Sequence, residues 1–393
     1  MDNSDNSDQE EECAVATMEV DGGEDGGLDS ASESGFVMEG KRCCIIFKEV
    51  GVGTDVWRSV VAYLDEGERL QSLSLVSVAF VRLSGELKRS VMLTGSQLVL
   101  DSSVLLDRVP AAIARFPSSD TVEIQVRGAL CSLTDASRAQ TFETLCTYKR
   151  VTNLSVGTNH LEAIPDTIGS MASLTDLSMG INSFTTLPES IGSLVKLKFL
   201  GLNANELRTL PSAIGNLVNL EKLWIENNKL QALPSSFGAL TALEELYLND
   251  NQLRALPDAF GALVHLREVY LQSNALASLP ESIGRLKVLA VLELSWNNLR
   301  ALPDAIGGLA CLKCLHLHQN KLSMLPASIG DLCALERLSL HHNDLAVLPD
   351  SVESLVSLKV LNLWRNRGFV RSQQSAAVQD WLASHAHIST GLS

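Results

Sequence analysis

The chain has 393 residues, 46% of them hydrophobic, enough for one long core and a smaller domain. Its net charge of −15 sits almost wholly in residues 1–40, which hold 13 Asp/Glu and no Lys/Arg; the 46 acidic residues less these 13 leave 33 against 31 basic, or −2. A nearly neutral body has no basic excess with which to release counterions from nucleic acid, and no apolar run approaches the roughly 20 residues that cross a bilayer.

Asp, Glu, Ser and Gly dominate residues 1–40, which read as a disordered acidic tail unable to bury enough surface to offset its ordering entropy. Ser7 and Ser30 carry acidic residues three positions on, the pattern of acidophilic-kinase sites, although a plain solvated spacer accounts for them as well. The acidic start lacks the basic end and apolar stretch of a signal peptide. Eight cysteines without disulfide or zinc-site spacing fit reduced thiols. The expectation is a soluble intracellular protein, cytoplasmic with the nucleus open.

Residues 41–90 are expected to form a small helical domain. Within it, "TDVWRSVVAYLDEGERLQSLSLVSVAFVRLSGE" (54–86) places Val56, Val60, Tyr63 and Leu64 at helical spacing, followed by Leu70, Val76, Ser77 and Phe80. This pattern resembles an F-box. The resemblance implies three helices that bind a Skp-type adaptor through Val56, Val60, Leu64, Leu70, Val76 and Phe80, linking a repeat domain to a cullin ubiquitin ligase. Val52 and Gly53 stand where that family usually has Leu-Pro, and the loop after Leu64 is a residue longer. A helical hairpin that only caps the following domain is the alternative. Residues 91–150 are expected to hold irregular repeats forming an N-terminal cap, with strands at "VMLTG" (91–95) and "TVEIQV" (121–126).

From Val151 the sequence repeats every 23 residues, as LxxLxLxxNxLxxLPxx(I/F)GxLxx. Asparagine recurs at 159, 182, 205, 228, 251, 274, 297, 320, 343 and 366, and nine of the eleven prolines are in register. The spacing predicts a solenoid over 151–366 in the α/β class: a curved parallel sheet with convex loops and short helices, no repeat burying its core alone. Within each repeat LxL is a strand, asparagine bonds backbone groups freed by the turn, proline swings the chain to the convex side, and glycine makes a tight turn. Glu353 replaces that glycine where the pattern ends. Residues 367–393 are expected to supply a capping helix and tail, with Ser375 as N-cap and Val378, Trp381 and Leu382 on one face.

These residues are similar to the leucine-rich repeats of Ras-pathway scaffold proteins and of plant intracellular Ras-group-related leucine-rich proteins. The resemblance implies a protein-binding module in intracellular signalling, without naming the target. The expected site is the concave face. Between the core residues of successive LxL segments stand Ser155, Ser178, Gly201, Trp224, Tyr247, Tyr270, Glu293, His316, Ser339 and Asn362, so Trp224, Tyr247 and Tyr270 form an aromatic ladder suited to anchoring a partner. Glu245, Arg267, Glu293 and Trp296 join the candidate contacts. Towards the C-terminal end the face turns basic and histidine-rich, with Lys313, His316, His318, Arg337, His341 and His342.

No chemistry is legible. "GVGTD" (51–55) lacks the rest of a GxGxxG or P-loop, no hydrolase, zinc-protease or kinase motif occurs, and an open sheet does not desolvate carboxylates for acid–base work. Cys311 and Cys314 form a CxxC with no second pair and read as structural residues of their repeat. No catalytic residue, cofactor or metal is expected, and a monomer binding one protein partner is.

Overall fold

The structure is a computed structural model. It describes residues 134–384 continuously, together with residues 123–126, 130–131 and six earlier strands; the acidic tail to residue 34 and residues 385–393 lie outside the described residues. The chain divides into two units, 1–125 and 126–393.

In the first unit, β1 (Gly35–Glu39), β2 (Arg42–Ile46), β3 (Val56–Asp65) and β4 (Ser77–Val81) form a four-stranded antiparallel sheet in sequence order. This corrects the helical domain expected over 41–90. Val56, Val60, Tyr63 and Leu64 lie on β3, and Phe80 lies on β4. The physical reason is composition: "VWRSVVAYLD" and "SVAFV" are rich in β-branched and aromatic residues, and pairing with neighbouring strands overrides a helical apolar spacing. Leu70 and Val76 lie outside the described residues. The strands expected near 91–95 and 121–126 are present. They are β5 (Val91–Thr94) and β7 (Glu123–Gln125), with β6 (Gln97–Leu100) pairing antiparallel to β5 and parallel to β7.

The second unit begins with helix α1 (Asp135–Cys146), whose N-cap Thr134 accepts a hydrogen bond from the Ser137 N–H. It buries Phe142 and Leu145, with the Phe142 ring 6.5 Å from that of Phe184. Ten three-residue strands follow at 23-residue intervals. They are β8 (Asn153–Ser155), β9 (Asp176–Ser178), β10 (Phe199–Gly201), β11 (Lys222–Trp224), β12 (Glu245–Tyr247), β13 (Glu268–Tyr270), β14 (Val291–Glu293), β15 (Cys314–His316), β16 (Arg337–Ser339) and β17 (Val360–Asn362). All pair in parallel and in register, so equivalent residues of successive repeats lie side by side. This is the leucine-rich-repeat solenoid that the period predicts.

Each repeat closes in the same way. Proline holds the backbone at the start of a five-residue 3-10 turn; at Pro211 φ is −66°, the value its ring imposes, and its carbonyl accepts from the Ile214 N–H at 3.1 Å. The turn buries Ile214 fully, as its neighbours bury Ile191 and Phe237. The asparagine of each repeat ties two repeats together. Asn228 donates through Nδ2 to the carbonyls of Leu202, Ile225 and Glu226 and accepts from the Leu207 N–H at 3.0 Å. Backbone groups that the curved chain cannot pair among themselves are satisfied by this column of amides.

The turn glycine has a different role from the one expected. A Cβ on Gly169 would stand 2.7 Å from the Ser190 carbonyl oxygen, and one on Gly192 would stand 2.5 Å from the Ala213 carbonyl oxygen, each in the next repeat. The residue is absent a side chain because the next turn stacks against it. Glu353 fits this account, since no further five-residue turn of the repeat follows it and the helix α2 (Ala376–Ser384) packs there instead. Ser375 caps α2, accepting from the Val378 N–H at 3.2 Å, and Val378, Trp381 and Leu382 are buried.

One feature had no sequence signal. The residue before each asparagine adopts a positive φ, including Ile181 (56°), Asn227 (54°), Asp250 (53°), Trp296 (55°) and His342 (55°). This left-handed step comes three residues after each strand and turns the following asparagine inward.

Candidate protein-binding face

The inter-strand register sets Gly201, Trp224, Tyr247, Tyr270, Glu293, His316 and Ser339 in one row across the sheet, on the side opposite the buried Leu200, Leu223, Leu246 and Val269. Trp224 is 37% exposed, and Tyr247 and Tyr270 are half-buried. Their rings touch in sequence. Trp224 meets Tyr247 edge-on at 5.6 Å, and Tyr247 stacks on Tyr270 at 4.5 Å with planes 16° apart. Mutual packing fixes the rotamers of all three, so a partner meets a rigid surface whose ordering cost is already met.

A fourth ring extends the row. Phe199 lies two residues before Gly201 on β10 and meets Trp224 edge-on at 5.0 Å. A Cβ on Gly201 would stand 3.1 Å from the Phe199 Cζ, so the ring occupies the room that the glycine leaves. The signal was present in the sequence as a phenylalanine two positions before a gap in the ladder.

The charges around the row are mostly neutralised between neighbouring strands. Lys198 pairs with Glu221 at 2.8 Å, Lys222 with Glu245 at 2.7 Å, and Arg267 with Glu244 at 3.3 Å. Exposed pairs of this kind contribute about 0–1 kcal/mol each, and they cancel field at the surface. Glu245 is therefore committed to Lys222 and Arg267 to Glu244 rather than presented as single charges. Glu226, Glu268 and Glu293 are in no ion pair among the described residues. Glu268 accepts from the Tyr270 hydroxyl at 3.1 Å, and Glu293 accepts from the Ser295 N–H at 2.9 Å. Burial raises the Glu226 carboxyl above its ordinary range, with Asp250 adding to the effect, and its Oε2 is enclosed without a partner. Burial and the Glu268 carboxylate likewise raise the Tyr270 phenol.

Trp296 stands apart from the row. It occupies the left-handed turn position of its repeat and is 56% exposed. His316 continues the row on β15, with its Nδ1 3.2 Å from the Ser339 hydroxyl. His318 and His341 lie in the next column along the strands and stack on each other. Among the described residues no group of three or more His, Cys, Asp or Glu is placed to hold a metal ion. Cys311 and Cys314 are unpaired thiols, and burial pushes the Cys146 thiol up to about 12.

Comparison with known proteins agrees with this geometry. The family description "leucine-rich repeat region" matches residues 185–263 and 257–384, and "leucine rich repeat" matches 149–207. The chain belongs to the leucine-rich-repeat family. Among solved structures it is similar to a leucine-rich-repeat protein of Leptospira interrogans, at 32% identity and TM-score 0.58, over 67% of this chain and 64% of that one. It is also similar to the ectodomain of the Arabidopsis thaliana receptor kinase GASSHO1/SCHENGEN3, solved in complex with CASPARIAN STRIP INTEGRITY FACTOR 2, at 35% identity and TM-score 0.52, over 56% and 28%. A Listeria monocytogenes internalin, at 18% identity and TM-score 0.52 over 76% and 88%, shares the fold. The chain spans less than two thirds of the length of the first two. No curated protein sequence matches it. No helix among the described residues is long and apolar enough to cross a membrane.

Proposed function

We propose that this leucine-rich-repeat protein is a non-catalytic recognition module that binds a protein partner on its concave face. One observation carries the reading: the contiguous row Phe199–Trp224–Tyr247–Tyr270 lies on the sheet face while every strand's own core residue is buried beneath it. A partner-free protein gains little from keeping a tryptophan and two tyrosines in a row at its surface, whereas such rings are the usual energetic anchors of interfaces. Glu226 and Glu268, in no ion pair among the described residues, suit a Lys or Arg of the partner beside the rings. The partner segment over repeats four to six is accordingly basic. The Arabidopsis receptor ectodomain, solved with its bound factor, supports the use of such a solenoid for protein recognition.

The finer parts of the reading rest on sequence likeness. The LPxxIGxL repeat resembles the Ras-group type, which supports a monomeric scaffold in intracellular signalling, and the unpaired exposed thiols of Cys131, Cys311 and Cys333 suit a reducing compartment. The ubiquitin-ligase alternative rests on the F-box resemblance over 54–86; strands at Val56–Asp65 and Ser77–Val81 weigh against its three helices.

Affinity purification from cell extract, with the intact protein and a Trp224→Ala/Tyr247→Ala/Tyr270→Ala variant as baits, tests the reading. A prey captured by the first and lost by the second is expected. Equal capture by both baits removes the ring row as the docking site, and a Skp-type adaptor among the preys revives the alternative.

A further inference from the structure

Two positions beyond the ring row in each repeat, a second column crosses the same face, and its last members are His318, His341 and Trp364. His318 and His341 stack with centroids 4.4 Å apart and planes 7° apart, and Trp364 stacks on His341 at 5.8 Å and 12°. His342 meets Trp364 edge-on at 4.7 Å, and the Arg365 guanidinium lies 4.5 Å over the same indole. The two stacked imidazoles are half-buried, and the Nδ1 of each is enclosed without a hydrogen-bond partner.

The charge around this stack is cationic. Lys313 and Arg337 are in no ion pair among the described residues. Of the carboxylates on these repeats, Glu336 is engaged by Lys359 at 2.6 Å and Glu293 on β14 by Ser295, while the exposed Asp344, three residues after His341, is in no ion pair among the described residues. The groups that act electrostatically on the two histidines are other imidazoles, His316 from β15 and His342 from the turn after β16, with no carboxylate among them. This half of the face has the opposite character from the ring row, where Glu226 and Glu268 are the unpaired charges.

We propose that His318, His341, Trp364 and Arg365 form a second contact point on the concave face, taking a carboxylate-bearing segment of the same protein partner. The inference rests on the concave-face reading above. Six strand spacings separate Trp224 from Trp364, roughly 29 Å at about 4.8 Å each, the reach of about nine extended residues. One partner segment laid across the strands meets rings and carboxylates first, then imidazoles, indole and cations. It matches both ends if it is basic at one end and acidic at the other. Burial first, and neighbouring imidazoles second, hold His341 down to about 4 and lower His318, so both are neutral at pH 7. A carboxylate seated beside them favours the charged form, so its binding takes up protons and tightens as pH falls from 7 towards 5.

A fluorescein-labelled hexaglutamate peptide, with hexaglutamine as control, probes the site in the full chain by fluorescence anisotropy at pH 7.5 and 5.5. At least threefold tighter hexaglutamate binding at pH 5.5 is expected. The rise should vanish in His318→Gln/His341→Gln and persist in Trp224→Ala/Tyr247→Ala/Tyr270→Ala, which separates this site from the ring row. NMR titration of the imidazole C–H signals in the unaltered protein checks it without a variant, since the peptide should move the His318 and His341 midpoints upward. Equal affinity at the two pH values, binding of hexaglutamine, or midpoints that move only at His160 and His265 would overturn the proposal.

Discussion

The Phe199 ring fills the space above Gly201 and there meets Trp224 edge-on at 5.0 Å. A row that by register begins at Trp224 is thereby lengthened to four rings, because the strand's missing side chain lets the ring from two residues earlier lean into its place. Gly201→Ala puts a methyl 3.1 Å from the ring and displaces it. Partner affinity is expected to fall about tenfold, or about 1.4 kcal/mol, with stability little changed. Phe199→Ala should give a similar loss, and the double variant no more than either alone. A double-mutant cycle of binding measurements checks the shared cause.

Stacking sets the second expectation. Gly192→Ala drives a methyl against the Ala213 carbonyl of the next repeat, and the loss is expected at about 1–3 kcal/mol, the range for overpacking a close-packed interior. Glu353→Ala, at the same repeat position with α2 rather than another turn beside it, should stay within about 0.5 kcal/mol. Urea titrations of the two variants measure the contrast.

Ile181 holds φ at 56° with a β-branched side chain that is 55% exposed. That conformation costs roughly 1–2 kcal/mol, which asparagine reduces. Ile181→Asn is expected to stabilise the solenoid by about 1 kcal/mol, seen as a higher denaturation midpoint. No gain would mean that the isoleucine makes compensating contacts.

The lowered His341 and His318 values carry a stability consequence. Burial disfavours their charged forms, so the folded protein binds fewer protons than the unfolded chain below the ordinary histidine range. Their contribution is fully present above about 6.5 and is lost as pH falls towards the folded value of about 4 for His341. Thermal melts between pH 7 and 5 should decline, and His341→Gln should decline less steeply. Parallel declines would assign the effect to other groups.

Much of this was legible in the sequence. The period of 23 specified the solenoid, and the position between Leu223 and Ile225 placed Trp224 on the sheet face, because strand alternation leaves no other side. The caps were legible at Ser375, where a capping hydroxyl precedes an apolar face. Four things were not. Phe199 was hidden because register reasoning followed one column, whereas a ring reaches two residues along a strand. Trp364 was hidden for the same reason, lying one column over, although His318 and His341 beside it were legible as residues of the face. The strands at Val56–Asp65 and Ser77–Val81 were misread as helices because short apolar runs fit both periods, and β-branched content decides between them only in context. The turn glycine was assigned to conformation when the next repeat's carbonyl was the constraint.

The central claim is that partners dock on the concave ring row, and biolayer interferometry with the captured partner tests it most directly. Two folded variants are compared with the intact protein: Trp224→Ala/Tyr247→Ala/Tyr270→Ala on the row, and Val195→Ser/Val218→Ser/Val264→Ser, which alters exposed valines following the 3-10 turns. A loss of at least a hundredfold in affinity for the first and less than threefold for the second is expected. Unchanged binding by the ring variant, or a larger loss from the valine variant, would contradict it.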